Sequence, residues 1–337
     1  DLDRDLLELS ALHGVEALLH HGLEGGETGG TWPRALRDQF RGAARNAAAR
    51  ELLVQREVVD ILQRLADAGV DVLLLKGTPL AYNLYPQPYL RSRGDTDLLV
   101  PVAQREAAGQ ALRRAGFRAA ESAGGSLASY QSSYGKQGRL GEAQVIDLHW
   151  RLSNAQAFAG AFGFDELSAD AAPVPRLGPG ARTPCAVHAL LIACMHRTTH
   201  LHAPYYVGGV GYQEANRLIW LYDIHLLAGR LSPAEWACLA EIAAAKGLRA
   251  VCLHGLEATR DRFGTRIPAQ VTTRLGAPGP RELSAAYLRP GRLRQHLTDI
   301  RALPGWGRRL RLMREWFLPP ADYLLNKYET RRRWLLP

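Results

Sequence analysis

Cysteine is scarce in this chain: four among 337 residues, at 185, 194, 238 and 252, no two near CxxC spacing. That scarcity excludes a disulfide framework and a cysteine-built zinc site. All four lie in apolar, helix-like stretches and read as buried free thiols of a reducing cytoplasm. Long apolar runs are missing as well, and none approaches the roughly 20 residues that span a bilayer. The opening DLDRDLLELS is acidic and amphipathic, unlike a signal peptide. A cytoplasmic protein without a membrane segment is therefore expected. The Walker A pattern GxxxxGK[ST] is absent, as are HExxH and any internal repeat. With 47% hydrophobic and 22% charged residues the chain can bury sizeable cores. Its length allows one large domain or two to three smaller ones. The one imbalance is a net charge of +9, which suits an anionic substrate such as a nucleotide, or nucleic acid.

Residues 3–24 and 33–69 carry apolar side chains at helical spacing, split by GLEGGETGGTWP. These are N-terminal helices, and residues 1–70 form the first expected unit. Residues 71–152 change character. DVLLLKG is a short apolar run ended by Gly, a buried strand, and TPLAYNLY a short helix. GDTDLLVP is a second strand, stopped by Pro101, and 104–115 a helix stopped by Gly116. Strands are expected at 117–120, 128–134 and 144–150, which together give a small mixed α/β sheet. Residues 153–337 form the third expected unit. It is helical from Pro184 onward, through PCAVHALLIACMHRTTHLH, EANRLIWLYDIHLLAG, SPAEWACLAEIAAAKG and LRAVCLHGLEATRDRFG.

Within 91-RSRGDTDLLV-100 the two aspartates, Asp95 and Asp97, sit two apart and lead into an apolar strand. Residues i and i+2 of a strand share a face, so both carboxylates project together. Asp147 sits in QVIDLHW with similar apolar flanks. If the two strands are neighbours, three carboxylates converge. Three hard oxygen donors suit Mg²⁺ or Mn²⁺ holding nucleotide phosphates. Two such ions activate an attacking oxygen and stabilise departing pyrophosphate. A structural carboxylate paired with Arg151 is the plainer reading of Asp147. Upstream, Lys76-Gly77-Thr78 lies between a strand end and a short helix, where backbone N–H groups can meet a phosphate. Lys76, Arg91 and Arg93 add positive charge; the plainer reading of Lys76 is a strand-end lysine reaching solvent.

The ordered set strand–KGT–helix–RxRGDxD–strand, then IDLHW, resembles the nucleotidyltransferase superfamily with the polymerase-β-like fold. It is similar in particular to a bacterial group of uncharacterised nucleotidyltransferases, the NTP_transf_5 type. The shared features are LKGTPLAYNLY, RSRGDTDLLV, IDLHWRL, HRTTH and RLIWLYDIHLL, over roughly residues 50–260, with FLPPADYLLNKY a weaker match. The resemblance implies an α+β fold: a small mixed-sheet polymerase-β-like core flanked by N-terminal helices and a large C-terminal helical region. It implies metal carboxylates at Asp95, Asp97 and Asp147, a pair of Mg²⁺ or Mn²⁺ ions, and a phosphate-binding turn at Gly77 and Thr78. Thr78 departs from the Ser of the superfamily pattern but keeps the hydroxyl.

The implied reaction moves an NMP from an NTP to an acceptor hydroxyl or phosphate, with release of pyrophosphate. Asp147 would also help deprotonate the acceptor. A small molecule or a biosynthetic peptide is the expected acceptor. Two rivals are a toxin-like nucleotidyltransferase acting on a protein or tRNA, and a non-catalytic nucleotide-binding protein.

Four further expectations concern the surroundings. His149 is expected to point away from the metal carboxylates, as a core or hydrogen-bonding residue. His196 and His200, four apart on one helix face, have no third ligand in view; they form a nucleotide- or acceptor-facing polar patch or simply pack. Arg217, Trp220 and Asp223 share a helical face. There an Arg217–Asp223 pair is expected, with contact to nucleotide or acceptor as the sharper alternative. Arg308, Arg309, Arg311, Arg314, Trp316, Arg331, Arg332, Arg333 and Trp334 form a basic stretch. It is a solvated amphipathic helix, a nucleic-acid contact or a docking surface for an acidic partner.

Overall fold

A computed structural model describes residues 2–25, 29–120, 125–138, 141–202, 205–207, 210–212, 216–277 and 279–320. The N-terminal helices are α1 (Leu2–His13), α2 (Glu16–Gly25) and the 34-residue α3 (Arg34–Asp67). Along α3, Val58, Ile61, Leu62 and Leu65 recur at helical spacing and are buried against the sheet. Gly69 ends the helix with φ 67°, and Val70 returns a hydrogen bond to the carbonyl of Leu65. A left-handed residue at that point is easiest for glycine.

The core follows as β1 (Leu73–Leu75), α4 (Gly77–Asn83), β2 (Thr96–Leu99), α5 (Arg105–Arg114), β3 (Arg118–Ala119), β4 (Gln131–Gln137) and β5 (Ala143–His149). The five strands form one mixed sheet in the order β1-β2-β5-β4-β3. Only β2 and β5 run parallel; the other neighbours are antiparallel. Period-two alternation gives the sheet two different faces. Leu74, Leu98, Ile146 and Leu148 pack under α3 and α5. Leu73, Leu75 and Leu99 face the other way and join the core of the C-terminal helices. Asp97 and Asp147 belong to this second face, because each sits an even number of residues from Leu99 or His149.

Beyond the core come α6 (Gln156–Ala159), α7 (Phe164–Ala169) and a small hairpin of β6 (Ala172–Pro173) and β7 (Arg182–Thr183). Then follow α8 (Ala186–His200), a second hairpin of β8 (Tyr205–Val207) and β9 (Val210–Tyr212), α9 (Leu218–Ala228) and α10 (Pro233–Ala245). The chain continues as α11 (Arg249–Phe263), α12 (Ala269–Gly276), α13 (Arg292–Ala302) and α14 (Trp306–Phe317). The β8–β9 hairpin, between the first two expected helical segments, corrects the reading of the chain as helical from Pro184 onward. A capping box opens α10: Ser232 accepts from the Glu235 N–H and Glu235 accepts from the Ser232 N–H.

The thiols need a correction too. Cys194 and Cys252 are buried, but Cys185 is half-buried ahead of α8 and Cys238 is exposed on α10. Arg308, Arg311 and Arg314 lie on the solvated side of α14, whose buried residue is Leu312. Arg331, Arg332, Arg333 and Trp334 lie outside the described residues. Among the described residues no helix is long and apolar enough to cross a membrane.

Candidate active site

A cleft of about 550 Å³ opens between the second sheet face and helices α8 and α9. Its acidic edge is set by strand register. Asp97 on β2 stands directly opposite Asp147 on β5, and Leu75 of β1 completes the row. Asp95 precedes β2 on the same face and is exposed at the mouth of the cleft. Asp97 is buried. Its Oδ1 receives Lys76 Nζ at 2.5 Å and lies 2.8 Å from His149 Nε2. Burial alone would raise the Asp97 carboxyl. The Lys76 ammonium and His149 outweigh it and hold the group well below the usual carboxylate range. Asp95 moves the other way. The enclosing walls and then the charge of Asp97 push it up to about 6, and its open side tempers the desolvation share of that shift.

Asp147 accepts from Ser133 Oγ at 2.5 Å and Gln131 Nε2 at 3.3 Å, both on β4. The plainer alternative, a pair with Arg151, is not made: Arg151 lies 5.0 Å over the Tyr130 ring. His149 also corrects its expectation. Residues 147 and 149 are two apart in one strand and share a face, so His149 points toward the carboxylates. Asp97, Asp147 and His149 each offer one ligand atom within 4.8 Å of the others. Two carboxylates and an imidazole, with a third carboxylate at the mouth, are a donor set that could hold a divalent metal ion, the carboxylate oxygens being the donors that suit Mg²⁺ or Mn²⁺.

Lys76 has φ 53° and ψ −127°, the single non-glycine positive φ among the described residues. This strained turn delivers its side chain to Asp97. Gly77 follows, and a Cβ there would stand 3.3 Å from the Arg91 guanidinium. Glycine thus lets Arg91 pass beside the turn. Thr78 is buried, and its hydroxyl donates to Thr96 Oγ1 at 3.2 Å on the sheet's other face. Arg91 is buried too. It donates to both Asp223 oxygens, with Nη2 at 2.7 Å from Oδ2. Tyr85 adds its hydroxyl to the same carboxylate at 2.7 Å. The expected Arg217–Asp223 pair is therefore corrected: the partner of Asp223 is Arg91, 132 residues earlier. Arg217 donates to the Leu12 carbonyl and lies 5.5 Å over the Trp220 ring. Arg93 pairs with Glu51 of α3 at 2.7 Å, while its Nε and Nη1 are buried without a protein partner.

The far wall carries His196 and His200, which pack edge-on with ring centroids 4.6 Å apart and both meet Trp220. Burial pushes the His196 pKa well below its ordinary value and His200 down to about 4, so both imidazoles are neutral at pH 7. They line the cleft across from the acids. Sequence reasoning missed Tyr287. It also lines the cleft and donates to Asp299 Oδ2 at 2.7 Å. No local motif flags it.

The cleft therefore unites Lys76, Gly77, Arg91, Arg93, all three aspartates, both histidines and Arg217 in one place. Thr78 and Asp223 brace its walls from behind, although Asp223 stays in contact with Arg91. No curated protein matches the chain. Residues 3–264 match the model of a family described as uncharacterised nucleotidyltransferases. That match covers the sheet, the acidic row and helices α8 and α9, which line the cleft. The chain thus belongs to this nucleotidyltransferase family and is a transferase enzyme.

Proposed function

We propose that the chain has a polymerase-β-like core and moves a nucleoside monophosphate from an NTP to an acceptor hydroxyl. The observation that carries this reading is the pairing of Asp97 with Asp147 across adjacent parallel strands at the edge of a cleft. Asp95, Asp97 and Asp147 would hold Mg²⁺ or Mn²⁺. Such an ion, when bound, offsets phosphate charge and orients the α-phosphate for in-line attack.

The turn at Gly77 exposes backbone to the phosphates. Arg93 also lines the cleft, but its guanidinium is buried against Glu51 of α3. Arg91 braces the turn through Asp223 rather than binding phosphate itself. Neutral His196 and His200, with Trp220, form an aromatic wall across from the acids, against which a base can pack. The acceptor oxygen forms a bond to the α-phosphorus as the bond to the β-phosphate oxygen breaks. Pyrophosphate leaves with that electron pair, and the acceptor proton passes to Asp147. The cleft volume lies in the range of small-molecule sites, which favours a small molecule or a peptide side chain as acceptor.

The test is incubation of the full chain with each α-labelled NTP, Mg²⁺ or Mn²⁺ and candidate acceptors, followed by mass spectrometry. An adduct of one NMP on the acceptor is expected. Equal labelling by D147N would sink the assignment.

A further inference from the structure

Lys76 goes beyond a phosphate contact. Its Nζ sits 2.5 Å from Asp97 Oδ1, within the field of Asp95 and Asp147, and its side chain is 19% exposed. The backbone beneath it is strained at φ 53°. Glycine would adopt that turn freely. The chain instead keeps a long cationic side chain where its tip meets the acidic row. Lys76 and His149 both converge on Oδ1 of Asp97, and no bond among the described residues engages Oδ2. The three carboxylates carry three negative charges. One ammonium leaves two, the charge of a single divalent ion.

Resting on the nucleotidyltransferase reading above, we infer that the Lys76 ammonium occupies the place of one of the two expected cations. The acidic row would then hold one divalent ion instead of a pair. Lys76 is a built-in counter-charge set against Asp97 at the edge of the cleft. It remains there when nucleotide arrives, because its strained turn and buried stem fix its direction.

The experiment counts ions directly. Mn²⁺ binding to the full-length protein is titrated by electron paramagnetic resonance with α,β-methylene analogues of each NTP. Wild type and K76R should bind one Mn²⁺ per chain. K76M and K76G should bind a second at least tenfold more tightly than wild type does. K76G relieves the strained turn but leaves the buried Asp97 without its ammonium, so circular dichroism of every variant is compared with wild type to separate charge from folding. Two Mn²⁺ in wild type, or an unchanged count and affinity in both variants, overturns the inference while leaving the nucleotidyltransferase reading intact. Absence of Mn²⁺ and of analogue binding from every form overturns both.

Discussion

Asp97 and Asp147 face each other across the single parallel strand pair of the sheet, and each is oriented from a different side. Lys76 and His149 hold Asp97, while Ser133 and Gln131 hold Asp147. The two carboxylates are thus presented on rigid strands, the arrangement that keeps a metal-binding geometry tight. D147N should lower transfer by about 10³-fold or more, the scale on which electrostatic preorganisation is lost. Its melting temperature should hold within a few degrees, because Asn can still accept from Ser133. Steady-state kinetics with matched melting curves checks this. D97N is a poorer test, since it also leaves the buried Lys76 ammonium without its partner.

Arg91 and Asp223 form an ion pair whose side chains are 7% and 5% exposed. Removing one member strands a charge in the interior. R91M and D223N should each lose about 3–5 kcal/mol of stability, and the R91M/D223L double variant should recover part of that loss. Urea denaturation of the three variants measures it. A loss below 1 kcal/mol for both single variants would show that water reaches the pair.

The neutral His200 predicts an acid-sensitive fold. Its folded pKa of about 4 lies below the ordinary value of 6.5. Between those values the unfolded chain binds the extra proton and the folded chain does not. Stability is therefore full above pH 6.5 and falls as pH drops toward 4, by up to about 3 kcal/mol for this one group. His196 shifts in the same direction and adds to the slope. H200F should flatten the fall in melting temperature between pH 6.5 and 4. An unchanged slope counts against the assignment.

Glu315 of α14 accepts backbone N–H bonds from Ser126, Leu127 and Ala128, on the approach to β4. E315A leaves three donors to find water and should cost about 1–3 kcal/mol. Limited proteolysis should cut at 125–128 earlier than in wild type. Identical cleavage kinetics would remove the clasp from the account.

Much of the sheet was legible because its signals are local. LLLKG, GDTDLLVP and QVIDLHW each announce a strand by a short apolar run with its own stop. Period two placed Asp95 and Asp97 on one face without any knowledge of the partner strand. The same rule, applied to Asp147 and His149, would have placed the histidine correctly. What stayed hidden were choices among distant partners. Nothing within RSRGD says that Arg91 turns to Asp223 and Arg93 to Glu51, because burial decides those pairs and burial is a property of the assembled fold. The hairpin after α8 escaped for a related reason. Its segment has too few residues for periodicity to separate strand from helix.

Tyr287 belongs to a stretch that the family model does not reach, yet it lines the same cleft as the aspartates. The working enzyme is accordingly longer than the segment by which its relationship is recognised. A gene trimmed at residue 264 would retain every acidic residue of the row. It would also lose Tyr287 from the lining of the chamber and the α14 clasp on the approach to β4. Residues 265–320 are part of the machine, and recombinant boundaries should be drawn beyond them.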